Sequence, residues 1–134
     1  MGTVQSIVQL FLNDDYGYSQ SSYNASNVLL NKMNDAINIY KNLNYSNSAV
    51  LDIINDILEE SFSQLKTDVK VSKTGEGEIL IYRNEGEEFR NIIIDNDGDI
   101  EYLHIPSDRT ATYNEHYQFI HINEDIITEL VNKL

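Results

Sequence analysis

The pattern of apolar and polar positions divides the chain into a helical first half and a strand-rich second half. Apolar segments at 69–71, 78–83, 89–94 and 100–105 alternate with breaks reading Thr74-Gly75-Glu76-Gly77, Asn84-Glu85-Gly86-Glu87 and Asn96-Asp97-Gly98-Asp99. A tight reversal needs positive φ, which glycine adopts freely, so short apolar runs flanking such breaks predict hairpins. The spacing therefore predicts a four-stranded antiparallel meander. Residues 117–122, Tyr-Gln-Phe-Ile-His-Ile, predict a fifth strand at an edge.

Helical periodicity occupies the rest. Val4, Ile7, Val8 and Phe11 share one face of a short helix over 4–12, which Thr3 can cap. Leu29, Met33, Ala36, Ile37 and Tyr40 form the stripe of a second helix over 25–43. A third, capped by Ser46 or Asn47, spans 49–65. It turns Val50, Ile53, Ile54, Ile57, Leu58, Phe62 and Leu65 inward and Asp52, Asp56, Glu59 and Glu60 mostly to solvent. Asn123 caps a closing helix over 124–134, with acids at its start where the helix dipole favours them. These elements predict an α+β fold, with N-terminal helices packed on a four- to five-stranded antiparallel meander closed by a C-terminal helix. At 134 residues this is one domain, with a helical part over 1–67, a sheet over 68–122 and the closing helix over 123–134.

The register of the last hairpin follows from its turn. A two-residue Asp97-Gly98 turn pairs Ile94 with Glu101 and Ile92 with Leu103, placing Ile92, Ile94, Leu103 and Ile105 on one face. A three-residue turn slips the pairing by one. Because Ile92-Ile93-Ile94 is apolar on both faces, either both faces of that strand are covered or one awaits a partner.

Charge changes the picture more than composition does. Net charge is −13, from 22 acids against nine Lys and Arg. Between Glu76 and Glu101 nine acids face only Arg83 and Arg90. Such a surface repels nucleic acid and anionic lipid, and it speeds encounter with a basic partner. Cysteine is absent, which excludes disulfides and thiolate chemistry and fits a cytoplasmic protein. The N-terminus has no basic stretch followed by an apolar core, so no signal peptide is expected, and no apolar run approaches membrane-spanning length. Gly2 and Ser6 formally fit a myristoylation pattern, for which chance is the better account.

Catalytic and metal patterns are weak. Setting Gly98 at the sixth position of a calcium loop puts Ile93 at its first ligand position and His104 at its twelfth, so the pattern fails at both ends. His104, His116 and His121 have no metal-ligand spacing, and a site would need His104 and His121 to meet across strands. Ser107-Asp108 lacks a nucleophile elbow, and Gly75-x-Gly77 opens no helix that could hold phosphate. No cofactor, catalytic residue or metal ligand is implied.

The loop Asp15-Tyr16-Gly17-Tyr18, the helix holding Ala36 and Leu43, and the segments Gly77-Glu78-Ile79-Leu80-Ile81-Tyr82 and Ile92-Ile93-Ile94-Asp95-Asn96-Asp97-Gly98-Asp99-Ile100-Glu101-Tyr102 form a recognisable succession. It resembles a loose group of small uncharacterised bacterial proteins with a "DGEI…EW…L.I.I..DG.I.Y" meander closed by a C-terminal helix. Tyr82 stands where that group carries tryptophan, and the long third helix replaces the group's short proline segment. The resemblance implies one compact α+β fold and a non-catalytic role.

The expectation is a non-enzymatic acidic binding module of the inhibitor, antitoxin, immunity or phage anti-defence type. Its partner is a basic protein, such as a nucleic-acid-processing enzyme, with no direct nucleic-acid or membrane binding. Its contact residues are Glu85, Glu87, Glu88, Asp95, Asp97, Asp99 and Glu101, with the loop tyrosines Tyr16 and Tyr18. The alternatives are a small-ligand or metal-assisted enzyme using the strand histidines, and a homo-oligomer joined through the second face of the Ile92–Ile94 strand.

Overall fold

A computed structural model describes residues 20–109, 112–118 and 121–134. Along these residues run α1 (Gln20–Asn42), α2 (Ser48–Ser63), β1 (Lys70–Lys73), β2 (Ile79–Glu85), β3 (Glu88–Ile94), β4 (Asp99–Ile105), β5 (Tyr113–Gln118) and α3 (Glu124–Lys133). The fold is α+β, as the pattern predicts. The helix expected over 4–12, and Tyr16 and Tyr18, lie outside the described residues.

The strands form one antiparallel sheet in the order β1-β2-β3-β4-β5. Its fifth strand, at the edge as expected, begins and ends earlier than the apolar pattern suggested. Register sets the faces. Ile79 pairs with Ile94 and Ile94 with Ile100, while Ile81 pairs with Ile92 and Ile92 with Tyr102. All six are buried, and they join Leu29, Met33, Ala36, Val50, Ile54, Ile57, Leu58, Ile127, Leu130 and Val131 in one core. The described helices thus cover a single face of the sheet.

Two local structures bear on the sequence reading: the first decides between the two open registers, and the second is a correction. The β3–β4 connection is a three-residue turn, Asn96-Asp97-Gly98, because Ile94 pairs with Ile100 rather than Glu101. Asp95 Oδ1 accepts from the backbone N–H of Asp97 (2.9 Å) and Asp99 (3.0 Å), and Gly98 takes φ 101°. A side chain that satisfies two turn amides at once selects this longer reversal. Leu103 and Ile105 consequently point away from the helices, and Ile100 and Tyr102 point in.

The correction concerns the end of α2. Its start is as expected, with Asn47 Oδ1 accepting from Ala49 N–H at 3.1 Å. Leu65, however, lies beyond its end in the left-handed region (φ 63°) and is 86% exposed. Lys66 N–H bonds to Ser61 O and Leu65 N–H to Phe62 O, a Schellman ending with leucine at a position that favours glycine. α1 ends the same way, with Asn44 at φ 58°.

Candidate protein-binding surface

In a meander, alternate turns share an end of the sheet. The β1–β2 and β3–β4 turns therefore lie together at one end, which brings Glu76 and Glu78 beside Asp95, Asp97 and Asp99. The β2–β3 turn, carrying Glu85, Glu87 and Glu88, lies at the other end, about 23 Å away along seven-residue strands. The run of acids that looks continuous in the sequence is thus two separate poles.

The poles differ in how far they are neutralised. At the β2–β3 end, Arg90 bonds to Glu85 (3.0 Å) and Glu88 (2.9 Å), and Glu88 also meets His104 Nε2. Arg83 pairs with Asp68 at 2.7 Å and donates to the Leu134 backbone oxygen. Lys133 holds Glu115, and His104 stacks on Tyr113. Of the three turn acids there, only Glu87 has no ion-pair partner among the described residues.

At the β1–β2/β3–β4 end, none of Glu76, Glu78, Asp95, Asp97 and Asp99 has an ion-pair partner among the described residues. Lys73 precedes the first turn but closes no ion pair onto it. This end is an uncompensated acidic pole.

The pole is anchored to the helical layer by the α1–α2 loop. Asn96 Oδ1 accepts from the backbone N–H of Ser46 and of Asn47, both at 3.1 Å. The Tyr45 hydroxyl lies 3.0 Å from Gly77 O and 3.2 Å from Ile94 O, so it ties the two turns to each other. Burial pushes the Tyr45 pKa up, and the negative charges of Asp95, Glu78 and Asp97 push it further.

Some pole acids are committed to structure. Asp95 holds its own turn, and Glu78 Oε1 accepts from the Thr74 hydroxyl at 3.2 Å. Glu76, Asp97 and Asp99 use no side-chain oxygen in a hydrogen bond among the described residues and remain open to a partner. Glu101 is apart from both poles. It sits mid-strand on the face opposite the helices, with His116 at 3.4 Å and Asn114 at 3.3 Å.

The histidines do not converge. His104 shares the helix-side row with Arg90 and Tyr113, whereas His116 pairs with Glu101 on the opposite face. Exposed His121 follows β5. Among the described residues no group of three or more His, Asp or Glu is arranged to hold a metal ion, and no helix is long and apolar enough to cross a membrane.

A different pair of acids is unlike what the pattern predicts. Asp56 and Glu59, expected on a solvated helix face, are 8% and 7% exposed. Nine residues separate Glu59 from fully buried Val50, half a turn out of phase, so α2 is enclosed on opposite sides. Burial raises the Asp56 carboxyl to about 6 and the Glu59 carboxyl to about 7, helped by neighbouring acids: Asp52 and Glu124 for Asp56, and Asp56 for Glu59. A visible signal was the breadth of α2's apolar arc, from Ile53 round to Phe62, which exceeds a one-sided stripe.

No protein-family model matches the chain, and neither curated proteins nor solved structures yield a match.

Proposed function

We propose that the protein is a non-enzymatic, acidic binding module whose β1–β2/β3–β4 pole engages a basic patch on a protein partner. A nucleic-acid-handling enzyme fits this chemistry, because carboxylates on neighbouring turns can occupy a surface that otherwise receives phosphates. An inhibitor, antitoxin, immunity or anti-defence protein acting in the cytoplasm would work in this way. The observation that carries the reading is the contrast between poles. One end neutralises most of its turn acids with Arg90, and the other leaves five carboxylates with no ion-pair partner among the described residues. Uncompensated like charges cost folding energy, so their clustering calls for a role outside folding. Such a surface gives fast, salt-sensitive association.

The contact set shifts accordingly from the sequence expectation. Glu76 joins Asp97 and Asp99 as the leading contacts, while Glu85 and Glu88 serve the internal Arg90 network. The test is capture of partners from nuclease-treated host lysate by the tagged protein, with release along a salt gradient. A basic nucleic-acid-handling protein released as salt rises is expected, and its capture is expected to fall at least tenfold with Glu76→Lys/Asp97→Lys/Asp99→Lys. Equal capture by that triple variant, or loss only on reversing Glu85 and Glu87, overturns the assignment.

A further inference from the structure

The two edges of the sheet are unlike. β1, at one edge, is four residues long with Lys70 and Lys73 at its ends, and Lys32 of α1 donates to the Val69 oxygen just ahead of it. Shortness, lysines and an adjoining helix are ordinary means by which an edge strand is kept from recruiting another. β5, at the other edge, lacks them. Its six residues, Tyr-Asn-Glu-His-Tyr-Gln, include no Lys, Arg, Pro or Gly. Its register against β4 is unbroken from Gln118 opposite Asp99 to Tyr113 opposite His104, so no bulge bends it away. Five of the six residues are exposed, and no described strand lies on its far side. In an antiparallel ladder every second residue turns its N–H and C=O to the free side.

We infer that β5 receives an extended segment of the protein partner as a sixth strand, and that this segment alternates basic with apolar residues. The inference rests on the reading of a basic partner given above and adds the way that partner binds. The alternation follows from the two rows of side chains beside the free edge. On the face away from the helices stand Asn114, His116 and Gln118, and behind the last two, one strand in, lie Glu101 and Asp99. Among the described residues neither acid pairs with Lys or Arg; Glu101 meets only His116 and Asn114. A residue of the added strand lies about 10 Å from its counterpart on β4, two strand spacings away, which an arginine or lysine and a carboxylate span between them.

The helix-side row is Tyr113, Glu115 and Tyr117. Lys133 already holds Glu115, and Tyr113 is 59% exposed, so this row offers ring surface to an apolar or β-branched neighbour rather than a free charge. Gln118, opposite Asp99, ends β5 at the acidic pole, so a base just beyond that end of the added strand lies beside the pole.

β5 of a second copy is a poor occupant. It brings no Lys or Arg to Asp99 and Glu101, and each chain carries a net charge of −13. A pairing centred on Glu115 would also set that acid against its own copy, and like charges directly opposite are destabilising.

Hydrogen exchange of the full chain, read residue by residue, tests the inference with a capped peptide of about eight residues alternating Lys or Arg with Val or Tyr. At saturation, exchange at alternate amides of 113–118 is expected to slow at least about tenfold. An analogue N-methylated along its backbone keeps every side-chain charge but forms no ladder, and it is expected to bind at least about tenfold more weakly. A peptide with Gln in place of each base is expected to weaken similarly, and Glu101→Gln to lower affinity for the basic peptide about threefold. The inference is overturned if the basic peptide and its N-methylated analogue bind alike, if binding leaves 113–118 unchanged, or if the Gln peptide protects them equally. Protection of 113–118 that grows with protein concentration alone overturns it in favour of a second copy. A Glu76→Lys/Asp97→Lys chain that still captures the lysate partner, with 113–118 protected, overturns the pole assignment and upholds strand addition. A captured partner that leaves 113–118 unprotected overturns strand addition alone.

Discussion

Glu59 shows most clearly what a single buried side chain imposes on this molecule. Its Oε1 and the Oδ1 of Asn55 are both buried with no hydrogen-bond partner among the described residues, and both atoms are acceptors when Glu59 is ionised. Their i,i+4 spacing makes the two side chains neighbours, and a proton on Glu59 supplies the donor that the pair lacks. The folded-state pKa values of Glu59 and Asp56, about 7 and about 6, lie above their ordinary values of 4.5 and 3.8. The folded state therefore holds protons that the unfolded chain has already released. This contribution is fully favourable below about pH 4, and it is lost as pH rises through 6 and 7. Urea unfolding at pH 5 and pH 8 should show a fall in stability that Glu59→Gln reduces by about 1–2 kcal/mol, once solvent screening is allowed for. Equal falls in both proteins would show that Glu59 is ionised and solvated in the folded state. The breadth of α2's apolar arc was the one sign of this burial, and the two acids themselves read as the wet face of an amphipathic helix.

Among the elements, the β3–β4 turn decides both the sheet's faces and its join to the helices. The alternation of short apolar runs with glycine breaks made the meander legible, and Asn47 and Asn123 announced their helix starts. Register was not legible, because Ile92-Ile93-Ile94 fits either face and the arbiter is a side chain, Asp95, bonding backbone inside its own turn. The acidic site was half legible. Asp97 and Asp99 stood out by composition, whereas the membership of Glu76 follows only from the rule that alternate turns of a meander share an end. Asn96 is the least conspicuous residue of this turn, yet its Oδ1 receives both Ser46 and Asn47 N–H. Asn96→Ala would leave those two amides to water at the start of α2. It is expected to cost about 1–2 kcal/mol in denaturant unfolding and to raise hydrogen exchange at Ser46 and Asn47. An unchanged midpoint would mean that the loop docks through Tyr45 alone.

At the scale of the whole molecule, a net charge of −13 is distributed so that one end of the sheet compensates most of its turn acids, and the other, among the described residues, pairs none of them. That asymmetry separates stability from binding in a measurable way. Glu76 and Asp97 donate and accept nothing through their carboxylates among the described residues, so neutralising them removes repulsion without breaking a bond. Glu76→Gln/Asp97→Asn is therefore expected to stabilise the fold by about 0.5 kcal/mol at low salt. The gain should shrink as ionic strength rises and the Debye length falls below the spacing of the turns. The same double variant is expected to bind a basic partner more weakly, with most of the loss in association rate. Arg90→Gln at the opposite end should act in reverse, destabilising the chain by stranding Glu88 and Glu85 while leaving partner capture intact. Thermal unfolding at several salt concentrations, run beside capture of the lysate partner, separates these outcomes. If neutralising the pole instead destabilises the protein, its carboxylates serve the fold, and the acidic pole loses its claim to be the binding surface.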